Sequence, residues 1–229
     1  MTASTVLTAG QLRERFKAIP ETDRQANQDF CIRLWRAISW VERAEAAGAD
    51  DLEGQFIPLW ISFNSLYGRA AEDGSTVPDH AGWQAFLAVI VKADGEDRLG
   101  KILWDEQRHV LKTIDSPYLF KPFWMGEQKD ADGKLQQARR RALANFRDRA
   151  SVSLLQELFE RVYVLRQQVF HGAATCGSKV NRRILKMGVT VLAIVVPAMI
   201  EIMIVAGAAR DWGMVCFPPV DQPESSHDG

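Results

Sequence analysis

The sequence predicts an all-α protein with the architecture of a helical bundle. Apolar residues recur at intervals of three and four in most segments, as Leu155, Leu158 and Val162 do, and this spacing places them on one face of a helix. The chain has 229 residues and is 47% hydrophobic, which is enough to bury a substantial core. Residues 189–205 are apolar almost throughout, as expected of a helix at the centre of a bundle. We therefore expect a single helical domain over residues 1–217.

Breaks in the apolar pattern divide the chain into helices. The expected helices span residues 12–17, 29–45, 56–67, 83–90, 99–114, 135–149 and 153–171, with a last one from Ser178 or Asn181 to about 209. Pro58 fits the first turn of its helix, where the missing N–H is not needed. The last helix is almost long enough to span a bilayer, but Pro197 and Glu201 interrupt it, so we expect a buried core helix and no membrane. Residues 218–229 are predicted to be a disordered tail.

A long irregular stretch is expected over residues 115–133. It contains two prolines, two glycines and four aromatic residues, Tyr118, Phe120, Phe123 and Trp124. Long loops inside compact domains are often functional or disordered. The aromatic residues either pack over the core or form a stacking platform for unpaired bases.

The net charge of −1 says little, but its distribution is uneven. Residues 134–186 contain twelve basic and three acidic side chains, so the rest of the chain is acidic. A locally basic surface suits a polyanion, although a run of charge is also typical of a solvated helix face.

Cysteine and histidine usage favours a cytoplasmic protein that needs no metal or cofactor. The three cysteines are widely spaced without a C-x-x-C motif, and their odd number favours a reducing compartment. The N-terminus lacks the apolar run of a signal peptide. The four histidines show no metal-ligand spacing.

An Arg and a His near the end of one predicted helix form the sharpest functional pattern. Ser153 and Gln156 have the spacing of a capping box at its start, and Gly172 is suited to end it. Arg166 falls near the middle of the apolar face, where a charge needs a buried acid, an interface or a polar site. Arg166 and His171 are about 140° apart on an ideal helix. The two side chains could therefore meet if the helix unwinds, or if two copies of the helix face each other across a dimer.

Two sequence segments carry a family resemblance: RQQVFH with the following GAATCGSKVNRR, and the upstream WISFNSLYGR. They resemble the HEPN superfamily of all-helical domains, which share an R-x(4–6)-H signature and occur in RNase toxins and defence proteins. Two positions depart from the family pattern. Gln167 stands where members often have Asn, Asp or His, and Ala173 stands where toxins paired with nucleotidyltransferase antitoxins carry a Tyr. The second departure argues against control by tyrosine modification at that position.

The resemblance implies a homodimer in which two R-x-x-x-x-H motifs face each other and form a metal-independent endoribonuclease site. It implies RNA as the substrate, a role in toxin activity or antiviral defence, and an antitoxin or companion protein as a further partner. Some HEPN domains lack activity. The alternative is therefore a non-catalytic nucleotide-binding, nucleic-acid-binding or dimerisation module.

The residue types suit RNA cleavage by the neighbouring 2′-hydroxyl. Histidine transfers protons near neutral pH, so His171 is the expected base or acid. Arginine grips phosphate oxygens with a permanent planar charge, so Arg166 is the expected stabiliser of the phosphorane. A dimer would supply two histidines, one as the base and one as the acid.

Five further residues are candidates for substrate binding: Asn64, Gln167, Lys179, Asn181 and Arg182. The structural alternative for Asn64 is a core side chain bonded to backbone. For the last three it is a solvated first turn of a helix. A purely structural protein would instead pair Arg166 with a buried acid such as Glu201.

Overall fold

A computed structural model describes residues 6–69, 78–125, 128–179 and 181–217. Within these ranges the chain forms eleven α-helices, one 3-10 turn at Pro117–Leu119 and no strand, which confirms the all-α prediction. The helices are α1 (Ala9–Lys17), α2 (Glu21–Ala26), α3 (Gln28–Glu45), α4 (Leu52–Tyr67), α5 (Asp79–Ala93), α6 (Arg98–Asp105), α7 (Gln107–Ile114), α8 (Lys121–Trp124), α9 (Gln128–Arg147), α10 (Ser151–Phe170) and α11 (Arg182–Ala206). The predicted tail over 218–229 lies outside the described residues.

The apolar helix α11 lies at the centre of the bundle. It packs against α1, α3, α4, α5, α6, α7 and α10, and its buried residues run along most of its length. Among the described residues, α11 alone is long and apolar enough to cross a membrane, but 61% of its most apolar window is buried against other helices. This burial is typical of the core helix of a soluble protein, as the sequence predicts. Gly188 lets α11 pack closely against α4 and α10, because a Cβ at this position would clash with the side chains of Phe56 and Leu165.

The helices α3 and α4 form the most extensive helix pair. The helix α4 begins four residues earlier than expected, because the Asp51 side chain accepts a hydrogen bond from the Gly54 backbone N–H at 2.8 Å. Pro58 therefore lies buried in the helix interior, and its predicted place in the first turn is wrong. The prediction that α4 is a buried helix is confirmed by nine buried residues, which include Phe56, Trp60 and Phe63.

Three other predicted boundaries are also wrong. The helix α10 begins at Ser151 with no side-chain cap, so Ser153 and Gln156 form no capping box. The expected helix over 99–114 is divided into α6 and α7 at Glu106. The helix α9 begins at Gln128 instead of 135, and the stretch before it contains the 3-10 turn and α8.

A buried arginine ties the C-terminal segment to the end of α4. The Arg33 side chain is fully buried and donates hydrogen bonds to five backbone carbonyls. The acceptors are those of Ser65, Leu66 and Gly68 at 3.3, 2.8 and 2.7 Å, and those of Gly213 and Met214 at 3.0 and 3.4 Å. The last carbonyls of a helix have no partner within the helix, so the guanidinium acts as a C-terminal cap for α4. Burial lowers the pKa of Arg33 to about 10, so the group stays charged at neutral pH.

We predict that Arg33→Met destabilises the protein by about 3 kcal/mol, because the hydrogen bonds to buried carbonyls are lost together with their charge. The free energy of unfolding in urea measures this loss. Arg43→Met is the matched control, because Arg43 is exposed on the same helix and should change stability by less than about 0.5 kcal/mol. A change below about 1 kcal/mol for Arg33→Met would show that the Arg33 hydrogen bonds contribute little to the stability of the fold.

Candidate functional site

The candidate site lies at the C-terminal end of α10. Gly172, with φ of 71°, ends the helix as predicted. The Gly172 N–H donates to the Val169 carbonyl at 3.3 Å, and the Ala173 N–H donates to the Gln168 carbonyl at 2.9 Å. These two bonds form a Schellman motif. His171 is the C-cap residue, directly before Gly172, and its side chain is exposed.

Arg166 lies one and a half turns earlier and is half-buried. Its guanidinium carbon is 5.8 Å from the centre of the Tyr163 ring and 5.1 Å from that of Phe170, which is 43% exposed. Within the described residues Arg166 forms no ion pair, and its buried Nε has no hydrogen-bond partner. Arg166 is therefore a cation held by aromatic rings rather than by an acid.

A polar cluster of Tyr67, Asp79, Tyr163 and Gln167 lies beside Arg166. The Tyr67 hydroxyl donates to Asp79, and Asp79 and Gln167 both lie close enough to the Tyr163 hydroxyl to act on its pKa. Burial, with the Asp79 charge, raises the pKa of both tyrosines, and the positive charge of Arg166 opposes the shift. Asp79 is thus close to two neutral tyrosine hydroxyls, and the positive charge of Arg166 acts on both.

Asn64 lies one turn before Tyr67 on α4, and its side chain is exposed. It lines a cavity of about 400 Å³ that Tyr67, Asp79, Arg36 and Arg69 also line. The interpretation of Asn64 as a core residue is therefore wrong. Asn64 and Gln167 both lie on the Arg166 flank of the bundle, as neighbours of Tyr67 and Tyr163.

The other three candidates do not join this cluster. Lys179 is exposed in the loop between α10 and α11, and Asn181 precedes the first residue of α11. Arg182 donates to the Asp50 carbonyl at 2.5 Å and lines a different cavity, of about 390 Å³. The structure thus places two predicted binding residues beside Arg166 and the other three beyond the end of α10.

Arg166 and His171 do not touch within one copy of the chain. The helix stays regular to Phe170, and His171 itself has near-helical angles of −95° and 11°. No hydrogen bond joins the two side chains in the described part of the chain. The helix is therefore not unwound between the two residues in this structure.

The structural alternative, in which Arg166 pairs with Glu201, is wrong. Glu201 forms its ion pairs with Arg15 and with Arg98, the latter at 3.5 Å. On α10 the arginine with a structural role is Arg161, whose buried side chain donates to the Ile114 carbonyl at 3.0 Å and lies over the Phe120 ring at 4.6 Å.

The basic excess over 134–186 does not form one continuous surface. Arg141 and Arg147 pair with acids, Arg149 lies over the Trp104 ring, and Arg161 is buried. Exposed cations do gather elsewhere, around a cleft of about 740 Å³ beside α10. Most of the residues that line it come from α7, the 3-10 turn, α8, α10 and α11, and they include Arg108, Lys112, Tyr118, Trp124, Gln168 and Arg183.

Sequence reasoning missed the cluster of Asp79, Tyr67 and Tyr163 beside Arg166, and it missed His80 beside Tyr163. The His80 ring lies 5.7 Å from that of Tyr163, and its Nε2 is 2.7 Å from a Glu160 oxygen. The only signal was the spacing of Tyr163 and Arg166 on one helix, because α5 reaches α10 through tertiary packing alone. Among the described residues no three His, Cys, Asp or Glu side chains are grouped as metal ligands would be.

No model of a known protein family, no curated protein and no solved structure matches the chain. The fold and the site geometry define an all-helical protein with an unpaired, ring-supported arginine and an exposed histidine at one helix end. The resemblance to the HEPN superfamily stays a prediction carried by the two sequence segments.

We predict that Arg161→Met and Arg166→Met differ in their effect on stability. Arg161→Met should cost about 2 kcal/mol, because it leaves the buried Ile114 carbonyl without its donor. Arg166→Met should change stability by less than about 1 kcal/mol, since it loses only contacts with two rings. Thermal or urea unfolding of both variants measures the difference. A loss at Arg166 equal to that at Arg161 would assign Arg166 to the structural framework.

Proposed function

We propose that the protein is a metal-independent endoribonuclease of the HEPN type, acting as a toxin or in antiviral defence. Its active site combines Arg166 and His171 from two copies of the chain. The observation that carries the proposal is the state of Arg166, a half-buried guanidinium with no ion pair in the described part of the chain. Its guanidinium carbon lies 5.8 and 5.1 Å from the centres of two aromatic rings, and its two terminal nitrogens have no partner in the described part of the chain, which leaves them for a phosphate.

His171 supplies the proton transfer. It takes the proton of a 2′-hydroxyl as that oxygen attacks the adjacent phosphorus, and a second histidine protonates the departing 5′-oxygen. The products are a 2′,3′-cyclic phosphate and a free 5′-hydroxyl, so atoms and charge balance without another reactant. Arg166 stabilises the additional negative charge on the phosphorane.

A second copy of the chain is needed for two reasons. Each copy carries one histidine in the motif, whereas the reaction uses an acid and a base. Arg166 and His171 also point about 140° apart on α10, so one copy cannot bring them onto one phosphate easily. Phe170, 43% exposed between the two, offers an apolar contact at the centre of such an interface.

The proposed location follows from the odd number of widely spaced cysteines in the sequence. Cys31, Cys176 and Cys216 are all free thiols. We propose that the protein acts in the cytoplasm, on cellular or invading RNA, and that an antitoxin or companion protein restrains it. Ala173 stands where tyrosine-modifying regulation would need its target, so the restraint acts by contact or on another residue.

The second candidate function is a non-catalytic module that binds a nucleotide or nucleic acid. The cleft of about 740 Å³ with its exposed cations favours it, because that cleft does not include Arg166 or His171. This candidate predicts binding without cleavage.

The test is incubation of the purified protein with mixed RNA in EDTA. We expect wild type to cleave and His171→Ala and Arg166→Met each to lose at least about 100-fold in rate, since each removes a group used in the transition state. His109→Ala is the matched control, because His109 is also exposed but lies on α7, outside the R-x-x-x-x-H motif. End-group analysis should find cyclic phosphates.

Three outcomes would contradict the proposal. Cleavage that survives His171→Ala but not His80→Ala would move the chemistry to the cluster around Tyr163. Cleavage abolished by EDTA would make the reaction metal-dependent. Absence of cleavage by wild type, with RNA still bound, would favour the binding module.

The composite site predicts an inhibitory effect of inactive copies. We expect excess His171→Ala protein to suppress wild-type cleavage, because mixed dimers hold only one of the two histidines. Rates measured against the mixing ratio, beside light scattering for the oligomeric state, check this. A rate that stays proportional to the wild-type concentration would show that one copy is sufficient.

A further inference from the structure

The cleft beside α10 is lined by side chains of two kinds. Tyr118 and Trp124 contribute aromatic rings, and Arg108, Lys112 and Arg183 contribute positive charge. With Gln168 on its floor we refer to these six residues as the aromatic-basic cleft. Its volume of about 740 Å³ is within the range of small-molecule sites.

The aromatic rings are fixed and yet exposed. The Trp124 Nε1 donates to the Tyr118 carbonyl at 3.0 Å, and the Gln168 side chain donates to the same carbonyl at 2.9 Å. The Phe123 ring packs edge-on against both rings, with its centre 5.5 Å from that of Tyr118 and 5.3 Å from that of Trp124. Tyr118 is nevertheless 51% and Trp124 56% exposed, so their ring surfaces are open to a ligand. A ligand that stacks on them needs little further ordering of the protein.

The cations around the rings are available for a ligand. Arg108 and Lys112 lie one turn apart on α7, and Arg183 lies in the first turn of α11. All three are exposed, and none forms an ion pair within the described residues. The acid that lines the cleft, Asp115, lies 3.5 Å from Arg139. The cleft therefore carries an excess of positive charge.

Planar rings next to unpaired cations match the two parts of a nucleotide. A base stacks on an aromatic side chain, and a phosphate pairs with Lys or Arg. A base inside a duplex has both faces covered, so stacking requires an unpaired strand.

We propose that the aromatic-basic cleft binds single-stranded RNA, with bases on Tyr118 and Trp124 and phosphates on Arg108, Lys112 and Arg183. Gln168 on the cleft floor is three residues before His171, nearly one turn of α10. RNA leaving the cleft in that direction reaches the end of α10. The inference deepens the proposed function by giving its substrate a binding surface, but binding in the cleft does not depend on cleavage.

The test measures binding of a short, dye-labelled single-stranded RNA by fluorescence anisotropy. The full chain carries His171→Ala in every case, so that no RNA is cleaved. We expect Trp124→Ala and Arg183→Ala each to weaken binding about tenfold. Arg183→Ala should also reduce the slope of log affinity against log salt by about 0.7. Trp124→Phe keeps an aromatic face and should retain most of the affinity.

Two matched controls are available on other surfaces. Trp40 is partly exposed on α3, and Arg140 is exposed on α9 without an ion pair in the described part of the chain. We expect Trp40→Ala and Arg140→Ala to bind RNA as the parent does. Thermal melts of all variants show that affinity changes do not come from unfolding.

The proposal is overturned if the parent does not bind the RNA, or if Trp124→Ala and Arg183→Ala bind as tightly as the controls. It is also overturned if an abasic strand, an acidic peptide or a duplex of equal charge binds as well as the single strand. These results are separate from those on catalysis. Binding that depends on the cleft, with no cleavage by wild type, supports the cleft and contradicts the ribonuclease. Cleavage by wild type, with binding insensitive to Trp124, does the opposite.

Discussion

The burial of α11 is the constraint on which the rest of the structure depends. Its apolar surface extends nearly all round, so seven other helices pack against it. Such packing brings helix ends into the interior, where their last carbonyls lack water. Two buried arginines answer part of that need, because Arg33 caps the end of α4 and Arg161 caps the end of α7. Burial lowers the pKa of both guanidiniums, yet carbonyl partners keep them compatible with the core.

Arg166 has different surroundings from Arg33 and Arg161. It lies five residues beyond Arg161 on α10, at the margin of the core, and it receives no carbonyl or acid in the described part of the chain. A buried N–H without a partner costs about 1–3 kcal/mol. Arg33 and Arg161 also have one such nitrogen each, but their other nitrogens bond to carbonyls. None of the Arg166 nitrogens has a partner in the described part of the chain, so its charge is the least satisfied of the three.

The sequence predicted the all-α class and the approximate position of most helices, because apolar periodicity depends on local spacing alone. It misplaced the starts of α4, α9 and α10. Asp51 provides a cap earlier than Pro58 suggested, whereas Ser153 lies inside α10 and caps nothing. The role of Arg33 could not be predicted, since its partners at 213 and 214 are about 180 residues away in sequence. A pattern read along one helix does not contain such contacts.

The candidate site shows the same division between local and distant signals. Gly172 ends α10 as predicted, because a C′ glycine acts through its own backbone. The cluster of Tyr67, Asp79 and Tyr163 was not predicted, since three helices build it. Of the five predicted binding residues, Asn64 and Gln167 lie on the Arg166 flank. The other three, Lys179, Asn181 and Arg182, lie beyond the end of α10, which only the tertiary packing could reveal.

Polar side chains gather at the end of α10 because this part of the helix no longer packs against the core. Up to Leu165 the helix buries an apolar face, and a polar residue on that face would be costly. From Arg166 onward the side chains reach the surface, while the Schellman bonds at Gly172 still hold the backbone rigid. Gln167 and Gln168, about 100° apart on the helix, then contact different surfaces, Gln167 beside the tyrosine cluster and Gln168 in the aromatic-basic cleft. Under the function proposed above, this helix end with exposed His171 lies between the surface that binds the RNA strand and the site that cleaves it.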